Sequence, residues 1–143
     1  MARTTTRIAA TPDRVFAVLA DAWTYEHWVV GCKQIRSVDD GWPAPGATFH
    51  HSVGIGPLTV RDTTTVIESD PPRRIVLRAR ARPAGVARVE IDVAEAGGAT
   101  EVVIGERPVS GPPALLHNPL QDRLIDRRNA ESLERLKQLA ERT

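Results

Sequence analysis

Four polar residues fall at positions that hydrophobic patterning assigns to the interior: His51, Asp62, Glu106 and Asn129. A histidine oriented by a carboxylate is a general base poised near neutral pH, suited to proton abstraction in an aldol-type cyclisation or a dehydration. His51 and Asp62 fit that chemistry. If the residues Gly54 to Pro57 form a four-residue hairpin loop, Val53 pairs with Leu58, and His51 and Asp62 become diagonal cross-strand neighbours, about 7 to 8 Å apart at Cα. The same two residues also have a structural use. Asp62 could satisfy backbone or threonine groups, and His51 could pack in the core or at the mouth of a pocket.

Glu106 needs a partner, because an unpaired carboxylate in an apolar interior is costly. An arginine at the pocket wall, with Arg128 as one candidate, would make it a structural ion pair; a ligand hydroxyl would make it a binding group. If apolar walls dominated instead, its pKa would rise and it could act as a general acid. Asn129 carries both a donor and an acceptor, so it could read a ligand carbonyl or hydroxyl, or bond to the sheet.

The elements that would hold these groups are legible from period and punctuation. Thr4, Thr6, Ile8 and Ala10 alternate along a first strand from Arg3 to Ala10. Thr11-Pro12-Asp13 then gives a cap, a proline at the first helical position and an acid in the first turn, which opens a short helix to about Ala20. A second short helix, from about Ala22 to Trp28, stops at Gly31. Lys33–Val38, Thr48–Val53 and Leu58–Glu68 read as strands, separated by the turn WPAPG and the break GIGP. Period-two alternation places Leu58, Val60, Asp62, Thr64 and Val66 on one inner face.

SDPPR ends that strand. Ile75, Leu77, Ala79 and Ala81 then alternate with Arg78, Arg80 and Arg82, and Pro83-Ala84-Gly85 fits a three-residue hairpin loop with glycine at positive φ. In that register Arg78 faces Glu90 and Arg80 faces Arg88, while Val89, Ile91 and Val93 point inward. A turn at Ala96 to Ala99 pairs Val93 with Val102 and Ile91 with Ile104, which sets Glu106 inward opposite Val89. After a proline-rich connector, Asn118-Pro119-Leu120-Gln121 opens a helix as cap, N1 proline and capping-box glutamine. At 1.5 Å per residue that helix is roughly 36 Å long. Ile125, Asn129, Leu133, Leu136 and Ala140 form its inward stripe, widened by Leu120 and Leu124.

Strands followed by one long helix describe an α+β chain in which a curved antiparallel sheet and the helix enclose a cavity. The inner-face residues Val60, Thr64, Leu77, Ile91 and Ile104 are candidate ligand contacts. So are Asn129 and Leu133 from the helix, and Phe16, Tyr25 and Trp28 from the short-helix end.

Composition narrows the function. A length of 143 residues suits a single domain. Nineteen basic against eighteen acidic residues leave a formal charge of +1, so no global field collects a nucleic acid. The lone cysteine, Cys32, cannot form an internal disulfide, and the N-terminus has no secretory pattern, which points to the cytoplasm. No apolar run approaches the roughly 20 residues that span a bilayer, so membrane insertion is not expected. His27, His50, His51 and His117 lack metal-ligand spacing, and no phosphate loop or GxSxG elbow is present. No metal or cofactor is expected. Arg78, Arg80, Arg82 and Arg88 form a basic row that is either a solvated face or a surface for an acidic protein partner.

The element order and the segments GCKQIRSVDDGWPAPG, HHSVGIGPLTVRDTTTV and RNAESLERLKQLAE resemble the polyketide cyclase/dehydrase-like branch of the START-related (SRPBCC) superfamily over the whole chain. The resemblance implies a helix-grip fold: a seven-stranded sheet wrapped around the C-terminal helix, with two short helices after the first strand. It also implies a deep hydrophobic pocket beneath that helix. The expected function is binding of a small hydrophobic molecule, lipid-like or polyketide-like. The alternatives are a cyclase or dehydratase using His51 with Asp62 or Glu106, and an interaction module acting through the arginines.

Overall fold

The computed structural model describes residues 2–55, 57–81, 85–111 and 119–142. Strand β1 (Ala2–Ile8) leads into helix α1 (Pro12–Leu19), a 3₁₀ turn (Ala22–Thr24) and the single-turn helix α2 (Tyr25–Trp28). Six strands follow: β2 (Cys32–Val38), β3 (Thr48–Ile55), β4 (Leu58–Asp70), β5 (Arg74–Ala81), β6 (Gly85–Ala96) and β7 (Ala99–Ser110). The long helix α3 (Pro119–Glu141) ends the order. The expected cap Asn118 and the loop residues Arg82, Pro83 and Ala84 lie outside the described residues.

The seven strands form one curved antiparallel sheet in the order β1-β7-β6-β5-β4-β3-β2, an α+β helix-grip fold. The two strands flanking the short helices therefore lie at opposite edges. Thr11 caps α1 by accepting from Arg14 N, and Asp21 does the same for Trp23 N of the 3₁₀ turn, so each starts where a side-chain oxygen meets an orphan N–H group. Helix α3 packs on β1, β7, α1 and α2. Polar contacts fix its position: Thr4 Oγ1 donates to Asp126 Oδ1 (3.0 Å), Val30 N to Ser132 Oγ (3.0 Å) and Ala9 N to Glu141 Oε2 (2.7 Å). Ile8, Val15, Leu19, Ile75, Val102, Leu133 and Leu136 build the core between helices and sheet.

Register departs from expectation at two hairpins. In the first, Ile55 pairs with Leu58 and Val53 with Val60, so His51 stands directly opposite Asp62 rather than diagonal to it. In the second, Gly85 belongs to β6 and pairs with Ala81, which brings Arg78 opposite Arg88 and Val76 opposite Glu90. Gly85 adopts φ +123°, and a Cβ there would stand 2.1 Å from the Ser110 carbonyl oxygen, so glycine is required by conformation and by space. The β6–β7 register is as expected: Val93 meets Val102, Ile91 meets Ile104 and Val89 meets Glu106 across a Gly97-Gly98 turn.

One expected burial is also corrected. Leu120 and Leu124 are 66% and 58% exposed, so the inward stripe of α3 does not extend to them. Val76, on the arginine face of β5, is fully buried. Its cross-strand partners are Glu68 and Glu90. Both bond to Arg74, which also grips Asp92 at 2.8 Å, and Arg88 Nε bonds to Glu90 at 2.9 Å.

Candidate functional site: the cavity between sheet and helix

A cavity of about 170 Å³ lies between the inner face of the sheet, α2 and α3. Space arises there because two facing inner positions are small: Ala79 on β5 and Ala87 on β6 are register partners, and both belong to the wall. Leu77, Val89, Ile91 and Ile104 form the apolar floor. Tyr25, Trp28 and Phe49 close one side. Arg80 and Arg128, both exposed, mark where the wall reaches solvent.

The aromatic side is a connected stack. Tyr25 lies 4.8 Å from Trp28 and 5.1 Å from Phe49 between ring centroids, and Phe49 lies 5.1 Å from His51. The tilted and edge-on arrangements suit the quadrupoles of the rings. Tyr25 is anchored by its hydroxyl, which donates to the Leu19 carbonyl at 2.8 Å, and burial pushes its pKa well above the ordinary tyrosine value. Cys32 is in the wall as well. Burial, with the Glu26 carboxylate adding to it, pushes that thiol up to about 12, so it is not a nucleophile at neutral pH.

At the helix side Glu106 from β7 reaches two residues of α3. Its Oε2 accepts from Arg128 Nη2 at 2.5 Å and its Oε1 from Asn129 Nδ2 at 3.3 Å. Glu106 thus has the arginine partner that burial demands, and Asn129 bonds to the sheet.

His51 is 5% exposed and lines the cavity. Its Nε2 pairs with Thr64 Oγ1 at 3.2 Å, while Nδ1 is buried without a partner. Burial lowers the imidazole pKa below the ordinary 6.5, with the Thr63 backbone and the Asp62 carboxylate pulling the other way. The ring is therefore held neutral. Asp62 is buried but is not part of the cavity wall, and its Oδ1 accepts from Thr63 N at 3.0 Å. Thr64 holds the ring by a hydrogen bond at Nε2, and Asp62, directly opposite on β4, acts on it through its charge.

Of the expected contacts, Tyr25, Trp28, His51, Thr64, Leu77, Ile91, Ile104, Glu106 and Asn129 lie in the wall. Three do not. Phe16 and Leu133 pack in the core, and Val60 is 37% exposed near the turn of the β3–β4 hairpin. Phe49, Val53, Ala79 and Val89 are wall residues that share inward parity with residues already singled out, so alternation alone carried their signal. Cys32 had no such signal, since β-bulges interrupt the alternation of β2, whereas Ser132 lies three residues after Asn129 and four before Leu136 on the inward stripe of α3. The arginine row is only partly free: Arg88 bonds to Glu90, Arg78 and Arg80 are exposed, and Arg82 is outside the described residues.

Among the described residues no group of three His, Cys, Asp or Glu side chains could hold a metal ion, and no helix is long and apolar enough to cross a membrane.

Residues 1–141 match the family described as polyketide cyclase / dehydrase and lipid transport, and the chain belongs to that family. No curated protein matches the sequence. Among solved structures, the protein CV1439 from Chromobacterium violaceum is 18% identical with a TM-score of 0.73, over 99% of this chain and 97% of that one. MLL2253 from Mesorhizobium loti is 15% identical with a TM-score of 0.74, over 99% and 96%. The di-domain ARO/CYC protein BexL from the BE-7585A biosynthetic pathway is 16% identical with a TM-score of 0.73; the match covers 99% of this chain and 50% of that one. At these identities the likeness is one of fold.

Proposed function

We propose that this protein binds a small hydrophobic molecule in the cavity between the sheet and α3. The observation that carries the reading is the wall itself: apolar and aromatic side chains from five strands and α2, with a few polar groups fixed in place, which is the composition of a ligand pocket. Membership of a family that includes polyketide cyclases and lipid-transport proteins supports the same class. The volume of about 170 Å³ is close to cavities on the order of 150 Å³ that accept benzene, and below the roughly 300 Å³ of common ligand sites. A one- or two-ring molecule fits those dimensions. Calorimetric titration with tetralin tests this directly. Saturable one-to-one binding with a negative heat-capacity change is expected, and absence of binding contradicts the proposal.

A second reading, proton transfer by His51 during cyclisation or dehydration, is supported by one observation: the ring is in the wall and held neutral, ready to accept a proton. Under it, His51→Ala abolishes turnover of a cyclisable ketone while leaving its binding intact. Loss of binding together with turnover would count against that role.

A further inference from the structure

The face of the sheet turned away from the cavity carries a row of like charges. Arg78 on β5 stands directly opposite Arg88 on β6, and Arg88 directly opposite Arg107 on β7. Residues paired in this way share a face and lie about 5 Å apart at Cα. Their chain neighbours Leu77, Val89 and Glu106 line the cavity on the other side. The row continues through Thr65 on β4 to Thr48 on β3, whose hydroxyls bond to each other. Like charges placed opposite one another destabilise a sheet. The acids of this face do little to relieve them, because Arg74 engages Glu68, Glu90 and Asp92, and Glu90 also serves Arg88. Arg78 and Arg107 are exposed, and among the described residues neither side chain has an ion pair or hydrogen bond.

We propose that this row docks an acidic helix of a partner protein, with carboxylates one turn apart meeting Arg78, Arg88 and Arg107. The spacing selects the helix. Carboxylates at i and i+4 of a helix are about 5 to 6 Å apart and keep step with arginines about 5 Å apart. Same-face residues of a strand are about 7 Å apart and fall out of step by the third cation. The formal charge of +1 gives no long-range field to collect a nucleic acid, so the attraction is local to the row. Exposed ion pairs are individually weak, and the contact therefore steers and orients a partner rather than holding it by charge alone. The row lies on the opposite face from the cavity, and its role does not depend on what the cavity holds.

The test uses a cross-linked, alanine-based helical peptide with glutamates at i, i+4 and i+8, and an isomer of the same composition whose glutamates point to different sides of the helix. By fluorescence anisotropy at low salt, the first peptide is expected to bind about tenfold more tightly than the isomer. Arg78→Gln with Arg107→Gln should remove that difference. This variant loses only exposed, mutually repelling charges, so it is expected to be at least as stable as the unaltered protein. Arg123→Gln with Arg127→Gln, which removes the same charge from exposed positions of α3, should leave the difference intact. Equal binding of the two peptides, or an equal loss in both double variants, overturns the row as a docking surface. Preference for phosphatidylglycerol vesicles or duplex DNA over the first peptide overturns the acidic helix as its partner.

Discussion

Glu106 and Arg128 tie the inner face of β7 to α3 across the rim of the cavity, with Glu106 Oε2 2.5 Å from Arg128 Nη2 and the Asn129 amide on the other carboxylate oxygen. The carboxylate side chain is 10% exposed and the guanidinium 42%, so the acid is enclosed while its partner reaches water. A hydrogen-bonded charge in that position holds the helix at a fixed distance from the sheet, and so helps to set the size of the cavity.

Removing Glu106 is therefore expected to be felt by the fold. Glu106→Ala should cost about 1–3 kcal/mol in urea unfolding, since it strands the Asn129 amide as well as the guanidinium. Because water screens Arg128, its coupling to Glu106 in a double-mutant cycle with Arg128→Ala should be nearer ~1 kcal/mol. A coupling of zero would mean that the two side chains do not act together.

His51 gives the protein an acid-sensitive step. Its folded pKa is lowered from 6.5, so below pH 6.5 the unfolded chain takes up a proton that the folded ring resists. The stabilisation is complete above that pH and is lost as pH falls toward and through the folded value. Stability measured between pH 7.5 and 5 should therefore decline more steeply in the unaltered protein than in His51→Phe. Parallel slopes would show that the ring is not held neutral.

Gly85 is expected to be irreplaceable. Gly85→Ala forces a Cβ against the Ser110 backbone at positive φ, and should lower stability by more than ~1 kcal/mol. At Gly41 an added Cβ meets nothing within 4 Å, so Gly41→Ala is a control expected within about 0.5 kcal/mol of the unaltered protein. Equal effects at both positions, read from thermal midpoints, would contradict the close approach of β6 to the end of β7.

Why some of the cavity was legible in the sequence and some was not follows from the hairpins. Across the Gly97-Gly98 turn the two-residue loop was read correctly, and Glu106 stands opposite Val89 as expected. At the β3–β4 and β5–β6 hairpins the expected loops displaced the pairing by two residues. A two-residue slip changes neighbours but not faces. Asp62 and Thr64 thus stayed inward and Arg78 outward, while the His51–Asp62 relation and the partner of Arg78 changed. Alternation also assigns a face without saying what covers it. Val60 has inward parity yet is 37% exposed, and Val76 has outward parity yet is buried between its register partners Glu68 and Glu90. The pairing of Ala79 with Ala87, which makes room for a ligand, depends on the register that the loops set.

The most direct test of the account is the affinity of Ala87→Phe for tetralin. Ala87 is a small wall residue, so a phenyl ring there occupies the space a ligand would take without removing any polar contact described above. The account predicts a folded protein whose affinity for tetralin is reduced by at least about tenfold, the loss expected when an apolar site is filled. Unchanged affinity in a folded Ala87→Phe would place the ligand elsewhere and contradict the cavity as the binding site.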